Sequence, residues 1–193
     1  MQLWVGLGNP GAQYALHRHN VGFMAADVIA EAHGFTQWSK KFRGLVAEGR
    51  IGRNRILLLK PQTFMNDSGD AVQQALNFYE LDMNALTVFH DELDLAPFKV
   101  KVKVGGGTAG HNGLRSIDAS LGPAFRRVRI GIGHPGPGRK ELVTAHVLGN
   151  YRKAEMEPLS DLLAAIAAEA EWLADADDAR FMSEVALRLR NDA

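Results

Sequence analysis

Residues 3–11, LWVGLGNPG, join a short apolar run to a turn rich in glycine and proline. The apolar residues Leu3, Trp4 and Val5 are typical of a buried β-strand. Glycine tolerates positive φ angles and proline fixes φ, so the residues after Val5 favour a tight turn. We therefore expect a loop at the carboxyl end of a strand, which is where open α/β sheets place their functional sites.

The three glycines of this turn have the G-x-G-x-x-G spacing of dinucleotide-binding loops, but their context argues against that function. Such a loop needs its last glycine to open a helix whose N-terminus holds the pyrophosphate. Here Pro10 lies inside the motif, and helical periodicity begins only at Val21. Asp27 falls on that helix instead of at the end of a second strand, where a ribose-binding acid belongs. We therefore predict no nicotinamide or flavin site.

The composition is that of a globular protein of one domain. The chain has 193 residues, of which 46% are hydrophobic, and it has no cysteine. The lack of cysteine excludes disulfides, thiolate nucleophiles and thiolate metal sites, and it is consistent with a reducing cytoplasm. The N-terminus does not have the pattern of a signal peptide, and the apolar runs are too short to span a bilayer. The sequence therefore predicts one cytoplasmic domain over residues 1–193, with no membrane association.

The formal net charge of zero hides an asymmetry along the chain. Residues 1–153 carry 19 basic and 12 acidic side chains, whereas residues 154–193 carry 3 basic and 10 acidic ones. A basic body with an acidic end indicates that one face binds a polyanion. Two ordinary helices that happen to be acidic would give the same numbers, so charge alone leaves both interpretations open.

Apolar runs and helical periodicities alternate along the chain, which predicts an α/β fold. Residues 100–104 and 127–132 alternate valine or isoleucine with lysine, arginine or glycine, which is typical of strands with one apolar and one basic face. Such strands indicate an antiparallel part of the sheet. We therefore predict a single three-layer domain with a mixed, twisted sheet flanked by helices. Strands are also expected near residues 45–51, 55–60 and 86–91, and helices near 20–33, 72–79, 114–121, 158–170 and 179–189.

Polar residues are concentrated in four segments that follow predicted strands, namely 9–19, 64–66, 90–94 and 110–112. If these strands end at one edge of the sheet, the amides, imidazoles and carboxylates of the four segments converge. A histidine beside a carboxylate is a good general base, and asparagine side chains can donate to a developing oxyanion. The pattern indicates a hydrolytic site.

The sequence offers no convincing protein nucleophile. Ser68 precedes a helix, where capping is the simpler interpretation, and Thr63 and Thr108 belong to no motif. Residues 105–111 are glycine-rich but end without Lys-Ser/Thr, so they do not form a phosphate-binding P-loop. The acidic segment 90–94 could bind a metal, but neighbouring side chains on a strand point to opposite faces, which disfavours a shared site. We therefore expect a water molecule to be the nucleophile.

Five motifs occur in order along the chain: GLGNPG with Tyr14 and RHNVGF (residues 6–23), KP-x-TFMN-x-SG (60–69), HDELDL (90–95), GHNGLRSI (110–117) and RIGIGHPG (129–136). Together they resemble the motifs of bacterial-type peptidyl-tRNA hydrolases, and chance agreement of so many ordered residues is very improbable. The resemblance implies a monomeric enzyme that hydrolyses the ester between a peptide and the 3′-terminal ribose of tRNA. It implies no cofactor and no metal.

The resemblance assigns roles to the positions that would act on the ester and on the tRNA backbone. It implies that His19 is the base that activates water and that Asp91 supports it. Asn9 would distinguish blocked from free aminoacyl groups. Lys103 and Arg129 match family positions that contact tRNA phosphates, which is consistent with two basic strand faces.

The remaining positions implied by the resemblance bind the end of the substrate. Tyr14 would contact the tRNA terminus, and Phe64 and Asn66 would line the site for the peptide and the terminal nucleotide. Met65 would form an apolar wall, and Asn112 would bind substrate and help to position the water. Aromatic side chains suit a single-stranded acceptor end, because unpaired bases stack on them.

Four departures from the family pattern lie near these motifs. His17 replaces a threonine that could cap the turn, and Asp67 adds a negative charge where an apolar residue is common. Residues 96–98, Ala-Pro-Phe, replace Pro-Pro-Gly in a turn. His146 replaces an aromatic residue in the segment expected to form a lid. None of the four belongs to the expected catalytic set.

Two other functions fit part of the sequence. A catalytically silent RNA-binding protein could use the same scaffold, because a fold does not determine activity. The presence of His19, Asp91 and Asn9 favours an enzyme instead. A hydrolase of a small ester would have no use for phosphate-binding residues, so Lys103 and Arg129 argue against it.

Overall fold

The computed structural model describes residues 1–138 and 140–191. Within these residues, one sheet contains seven strands: β1 (Gln2–Gly6), β2 (Ser39–Lys41), β3 (Gly44–Ile51), β4 (Asn54–Pro61), β5 (Leu86–Glu92), β6 (Val100–Val104) and β7 (Arg126–Gly131). The same part of the chain contains seven α-helices: α1 (Val21–Ala32), α2 (Ser68–Phe78), α3 (Asn112–Leu121), α4 (Lys140–Val147), α5 (Met156–Ala168), α6 (Ala170–Ala174) and α7 (Asp178–Asn191).

The strands lie in the order β2-β3-β4-β1-β5-β7-β6. The pairs β4–β1, β1–β5 and β5–β7 are parallel, whereas β2–β3, β3–β4 and β6–β7 are antiparallel. The predicted mixed sheet is therefore confirmed. Because β4, β1 and β5 are parallel neighbours, the polar segments that follow them all leave the sheet at the carboxyl ends of these strands.

Alternating side chains on β1 show how the three layers are held together. Trp4 packs in the core formed with α1, α5 and α7, whereas Leu3 and Val5 pack in the core formed with α2 and α3. All three side chains are fully buried. Burial of a large apolar side chain contributes roughly 1.5–3 kcal/mol, so both helix layers depend on this strand. The predicted α/β domain with helices on both faces of the sheet is confirmed.

Most of the predicted elements are present, with ends that differ by a few residues. Three elements were not predicted, β2, α4 and α6, which have three, eight and five residues. Each is too short for its periodicity to stand out from the surrounding sequence. The predicted basic side chains are present on β7, but one of them, Arg127, is only 2% exposed.

The segment 110–112 reaches the functional edge by a route that strand order alone did not predict. β6 runs antiparallel to β7, so its last residue, Val104, pairs with Arg126, the first residue of β7. β6 therefore ends at the opposite end of the strands from Asp91. Residues 105–111 then carry the chain back. The assumption that all four polar segments follow strands ending at one edge was therefore wrong for this segment.

The buried guanidinium of Arg127 holds this returning segment in place. Its Nη1 donates to the carbonyl oxygen of Gly107 at 2.6 Å, and its Nη2 donates to those of Gly106 at 3.0 Å and Pro123 at 3.1 Å. The guanidinium also lies 4.3 Å from the ring centroid of Phe125. Arg127 is therefore a structural residue that fixes the approach to α3.

The acidic end of the chain folds as helices α5 to α7 and packs on the basic body. Asp178 at the start of α7 accepts a hydrogen bond from Arg126 on β7, with Nη1 and Oδ1 2.9 Å apart. At least one acidic side chain of the C-terminal helices is therefore paired with a basic side chain of the sheet. No helix among the described residues combines the length and the apolar character needed to cross a membrane.

Candidate active site

Two glycines bring the loop after β1 against the end of β5. A β-carbon on Gly6 would lie 2.2 Å from the carbonyl oxygen of Gly22, and one on Gly22 would lie 2.4 Å from the carbonyl oxygen of Phe89. Only glycine permits this approach of α1 to the sheet. His19, just before α1, is therefore carried to the carboxyl end of β5, where it meets Asp91.

The carboxylate of Asp91 joins two imidazoles, and we call His19, Asp91 and His111 the triad. His19 Nδ1 lies 2.9 and 3.0 Å from the two carboxylate oxygens, and His111 Nε2 lies 2.8 Å from Oδ1. The three side chains are 9%, 3% and 8% exposed. At this burial the hydrogen bonds form in a low dielectric, where a charged acceptor strengthens them.

The hydrogen bonds define which nitrogen atoms carry protons. His111 Nδ1 accepts the backbone N–H groups of Gly113 at 3.1 Å and Leu114 at 3.3 Å, at the start of α3. Its Nε2 therefore carries the proton that is donated to Asp91. His19 donates to the same carboxylate through Nδ1, which leaves a lone pair on Nε2 when the ring is neutral. His19 Nε2 is thus the basic atom of the triad.

The charges of the triad shift the pKa values of its members. Burial lowers the pKa of His19, but the charge of Asp91 and the hydrogen bond to it raise the pKa, with a net result above the ordinary value. Burial alone would raise the pKa of Asp91, but the two histidines hold it well below its usual range. Asp91 is therefore ionised at neutral pH and stabilises an imidazolium at His19.

His111 lies in the motif GHNGLRSI, but neither the motif nor its neighbours predicted a role for it. Its ring caps α3 and is the second support of the carboxylate of Asp91. The position of His111 directly before a predicted helix could have indicated that its imidazole caps that helix. The sequence could not show which carboxylate it meets, because the chain first leaves β6 at the other end of the sheet, where Val104 pairs with Arg126.

The triad could also be considered as a metal site, since its potential ligand atoms lie within 4.8 Å of one another. The nitrogen atoms that face Asp91 are already hydrogen-bonded to it at 2.8–3.0 Å, and the other nitrogen of His111 caps α3. A metal ion would have to replace these bonds. The donor set therefore fits a hydrogen-bonded general base better than a metal centre.

Asn9 is held so that its amide group has one orientation. The side chain of Asn20 accepts the backbone N–H of Asn9 at 2.9 Å and donates to its carbonyl oxygen at 2.9 Å. Asn9 Oδ1 accepts the backbone N–H of Met65 at 2.8 Å. With Oδ1 engaged in this way, Nδ2 is left to donate to a ligand.

A cavity of about 360 Å³ lies beside the triad. Its walls include all three members of the triad, Asn112, and residues of α4 and the segment after it such as Thr144 and Leu148. Among the predicted site residues, His19, Asp91 and Asn112 therefore share one cavity. Its size suits a small group such as an aminoacyl ester.

A family model for peptidyl-tRNA hydrolase matches residues 3–192. This chain belongs to the peptidyl-tRNA hydrolase family. It is similar to the peptidyl-tRNA hydrolases of Rhizorhabdus wittichii, with 69% identity over 98% of this chain and 99% of that protein, and of Sphingopyxis alaskensis, with 69% identity over 98% and 100%. The crystal structure of peptidyl-tRNA hydrolase from Acinetobacter baumannii matches with a TM-score of 0.88 and 39% identity over 96% of this chain and 94% of that one.

These similarities confirm the family and the enzymatic function expected from the motifs. The chain is a hydrolase of peptidyl-tRNA that acts in translation. The alternative of a catalytically silent RNA-binding protein is not favoured, because relatives with up to 69% identity are enzymes.

The other predicted substrate-binding residues of this peptidyl-tRNA hydrolase lie outside the walls of the triad cavity. Met65 is 4% exposed, and its Sδ would lie 2.6 Å from a β-carbon on Gly113, so it packs between Asn9 and the start of α3. Phe64 is 60% exposed, and its neighbour Asn66 is also exposed. Phe64 and Asn66 therefore form an accessible rim beyond Asn9.

Tyr14 is half-buried on the loop between β1 and α1. Its ring packs edge-on against His17, with ring centroids 5.3 Å apart. His17 Nδ1 is buried without a partner among the described residues, and burial followed by the nearby charge of His19 lowers the pKa of this histidine. The replacement of threonine by His17 thus gives Tyr14 an aromatic neighbour.

The predicted phosphate-binding residues line a second cavity of about 180 Å³ in the hydrolase, together with buried Arg127. Lys103 is exposed on β6, whereas Arg129 on β7 pairs with Glu92, with Nε and Oε1 2.8 Å apart. Glu92 therefore neutralises part of the positive charge on this face. Lys103 is therefore the more available of the two predicted cations.

His90 is a neutral residue between the two cavities, and it lines both. Its Nδ1 donates to the backbone carbonyl oxygen of Asp91 at 2.8 Å, and its ring lies edge-on to His111 with centroids 5.3 Å apart. Burial, followed by the nearby His111, lowers the pKa of His90 to about 4. His90 therefore adds no positive charge beside the triad at neutral pH.

The helix α4 is tied to the loop that carries His19. Arg18 Nη1 donates to the carbonyl oxygen of His146 at 3.2 Å, and Nη2 donates to Glu155 Oε1 at 2.9 Å. His146 Nε2 donates in turn to the carbonyl oxygen of Ile132 at 3.0 Å. The departure at His146 thus supplies a polar anchor for the helix that covers the cavity.

The two remaining departures have local effects. Asp67 is exposed in the turn before α2. Phe98, at the place of a family glycine, has a φ angle of 65°, and its backbone N–H donates to the carbonyl oxygen of Gly131 at 3.1 Å. A bulky residue in the left-handed region is strained, so this turn is less stable than one with glycine.

Proposed function

We propose that His19 activates a water molecule that hydrolyses the ester between the peptide and the 3′-terminal ribose of peptidyl-tRNA. The observation that carries this proposal is the pair of hydrogen bonds between His19 Nδ1 and Asp91, at 2.9 and 3.0 Å. They fix the ring, leave Nε2 as the base, and place a buried negative charge next to the imidazolium that forms.

The reaction needs one proton to move out and back. His19 Nε2 takes a proton from water as the water oxygen forms a bond to the ester carbonyl carbon. The tetrahedral intermediate then breaks its bond to the ribose oxygen, and the imidazolium returns the proton to that oxygen. The products are a peptide with a free carboxyl group and a tRNA with a free ribose hydroxyl. Asp91 stays ionised throughout because its pKa is held low.

Two asparagines recognise the acyl group in this proposal. Asn112 lines the triad cavity and donates to the developing oxyanion or orients the water. Asn9 Nδ2 donates to the carbonyl oxygen that precedes the last amino acid, a group that a free aminoacyl-tRNA does not have. The fixed amide of Asn9 supports this role, because a pre-oriented donor loses little entropy on binding.

The tRNA in this proposal lies along the side of the molecule that carries β6 and β7. Lys103 and Arg129 contact phosphates of the acceptor stem, and Tyr14 and Phe64 offer rings for unpaired bases of the CCA end. Asn66 and Met65 complete the rim between the terminal nucleotide and the peptide. The 60% exposure of Phe64 supports a stacking role, since an apolar ring that is open to water gains from being covered.

The proposed enzyme acts as a monomeric, cytoplasmic, single-domain protein without a cofactor or metal. The support for a monomer is the resemblance of the motifs to those of the bacterial-type enzymes, which implies one. The support for metal-free catalysis is that the carboxylate of Asp91 and both nitrogens of His111 are already engaged.

A comparison of two substrates, each with and without a chelator, tests the proposed reaction. We expect N-acetyl-aminoacyl-tRNA to be hydrolysed and free aminoacyl-tRNA to be a poor substrate, with no effect of the chelator. Asn9→Ala should reduce this discrimination, with Asn150→Ala, an exposed asparagine, as the matched control. Activity that disappears with the chelator and returns with a metal would contradict the proposed base.

A further inference from the structure

The triad cavity adjoins the smaller cavity that holds the predicted phosphate-binding residues. The two cavities, of about 360 and 180 Å³, share four wall residues, which are His90, Glu92, Thr108 and Ala109. In the proposed function the ester lies in the first cavity, and phosphates of the tRNA lie beside Lys103 in the second. The nucleotide chain that joins the ester to these phosphates therefore passes the shared wall.

Thr108 is the member of this wall that has free hydrogen-bond donors. It is half-buried, and its hydroxyl has no hydrogen-bond partner among the described residues. Its backbone N–H and that of Ala109 are also unpaired within residues 1–138 and 140–191. The unpaired Nε2 of His90 is an acceptor, because Nδ1 carries the proton, and Glu92 is a paired anion. A ligand that accepts hydrogen bonds at this wall would therefore bind Thr108 and the backbone beside it.

Arg127 sets the orientation of the backbone next to Thr108. Its guanidinium donates to the carbonyl oxygens of Gly106 and Gly107, and all peptide bonds of this segment are trans. In a trans peptide the N–H group points away from the carbonyl oxygen of the preceding residue. The N–H groups of Gly107 and Thr108 therefore point away from Arg127 and are held in that direction. Donors that are fixed before binding lose little entropy when a ligand arrives.

The charges of the small cavity favour an anion as this ligand. Three cations and two carboxylates line it, namely Lys103, Arg127, Arg129, Glu92 and Asp94. Arg129 pairs with Glu92, whereas Arg127 is 2% exposed and has no carboxylate partner in the part of the chain that the structure describes. A buried cation of this kind attracts an anion strongly, because little water screens its charge.

We propose that Thr108 binds the last phosphate of the substrate, which joins the terminal nucleotide of peptidyl-tRNA to the nucleotide before it. The hydroxyl of Thr108 and the N–H groups of Thr108 and Ala109 donate to the phosphate oxygens. The proposal rests on the proposed function, since it needs the ester beside the triad. Only the terminal ribose separates this phosphate from the ester, so the contact fixes where the ester lies relative to His19. Because the contact is made in the bound substrate and in the transition state alike, its loss should raise KM and leave kcat nearly unchanged.

The experiment combines Thr108→Val with three forms of N-acetyl-aminoacyl-tRNA. One form has natural phosphodiesters, one has an uncharged methylphosphonate at the last linkage, and one has it at the preceding linkage. Deoxycytidines precede both linkages in all three forms, so that the methylphosphonates are stable. We expect Thr108→Val to raise KM about tenfold for the natural form, which is the effect of losing one hydrogen bond to a charged group. With the methylphosphonate at the last linkage the difference between the two proteins should shrink to about threefold, because a neutral acceptor gives a weaker bond. At the preceding linkage it should stay about tenfold.

Two further variants serve as controls. Thr108→Ser keeps the hydroxyl and should restore the wild-type KM, and Ser39→Ala, which removes an exposed hydroxyl on β2, should behave as the wild type. An unchanged KM of Thr108→Val with the natural form would overturn the proposal. A tenfold increase that persists with the methylphosphonate at the last linkage, or that Thr108→Ser shares, would also overturn it and would indicate a change in the loop instead of a lost phosphate contact. Failure of the wild-type enzyme to hydrolyse the natural form would instead refute the proposed function.

Discussion

The triad differs from the two predicted phosphate-binding residues, Lys103 on β6 and Arg129 on β7, in how its side chains are held. We call Lys103 and Arg129 the basic rim. Each member of the triad is at least 91% buried and bonded at 2.8–3.0 Å to another member. Lys103 on the rim is exposed, and Arg129 shares its charge with Glu92. The difference shows that the chemical step depends on short, desolvated contacts, whereas tRNA binding depends on charges that salt can screen.

Removing the proposed base, His19, is expected to have the largest effect and to separate the chemical step from tRNA binding. His19→Ala should lower kcat about 10³-fold, which is the typical contribution of a general base, and leave the Kd for tRNA nearly unchanged. The matched control is His134→Ala, because His134 is an exposed histidine outside the triad. Steady-state kinetics and a tRNA-binding titration measure the two quantities. Normal turnover in His19→Ala would remove His19 from the mechanism.

The second change keeps the shape of the triad and removes its negative charge. Asp91→Asn should lower kcat roughly 10²-fold or more, since the imidazolium at His19 loses its charge partner. In the wild type, kcat/KM should fall as the pH drops through the pKa of His19, which lies above its ordinary value of 6.5. Without Asp91 this pKa decreases, so the acid limb should move to lower pH.

The control for this change is Asp94→Asn, since Asp94 is an exposed carboxylate on the same loop. It should keep the wild-type acid limb, which separates the contact with His19 from a general effect of charge. A profile of Asp91→Asn that overlays the wild-type profile would exclude Asp91 as the partner of the base.

The third prediction concerns the neutral histidine beside the triad. The folded pKa of His90 is about 4, below the value of 6.5 for an unfolded histidine. The unfolded state therefore binds more protons between these values, and stability decreases as the pH falls from 6.5 to 4, by about 3 kcal/mol in total for this group. His19 has the opposite effect and acts above pH 6.5: its folded pKa is raised, so its contribution to stability is fully present below 6.5 and is lost as the pH rises through that pKa.

Denaturant unfolding of the wild type and of His90→Asn at pH 7 and pH 5 isolates the contribution of His90. The asparagine can keep the hydrogen bond to the carbonyl oxygen of Asp91 but does not titrate. The variant should lose less stability than the wild type between the two pH values. Parallel losses in both proteins would show that His90 is not the group that resists protonation.

The smallest effect is expected at the basic rim. Lys103→Glu should raise KM about fivefold at low salt, and the difference should decrease at high salt because phosphate contacts are screened. Arg53→Glu, a charge reversal at an exposed residue between β3 and β4 on the other side of the sheet, is the control. A short aminoacylated fragment without the acceptor stem should not distinguish Lys103→Glu from the wild type. Equal loss with that fragment would show that phosphate contact is the wrong explanation.

Local patterns were sufficient to predict the α/β class and most of the strands. The alternation of apolar and basic residues on β6 is typical of a strand with one buried face, and the continuous apolar run of β4 is typical of a strand buried on both faces. The bond between His19 and Asp91 needed more than pattern. Their motifs could be recognised, but the two residues are 72 positions apart and are brought together only by the parallel pairing of β1 with β5.

The role of His111 and the burial of Arg127 could not be predicted from neighbouring residues. The alternation on β7 predicted a basic face, and only the structure shows that the glycine-rich segment folds over it and buries Arg127. The same segment then delivers His111 to Asp91. Both results follow from the return of residues 105–111 to the end of the sheet that carries Asp91, which no local periodicity records.

The sequence by itself determined the alternation of strands and helices, the glycines that allow α1 to touch the sheet, and the residue types of a water-activating site. Local conformation and burial depend on nearby residues, so these features are written in short stretches of the chain. Only the tertiary structure decided that one carboxylate serves two imidazoles and that Arg129 is partly neutralised. Each depends on which distant segments become neighbours, and that is fixed by the strand order of the whole sheet.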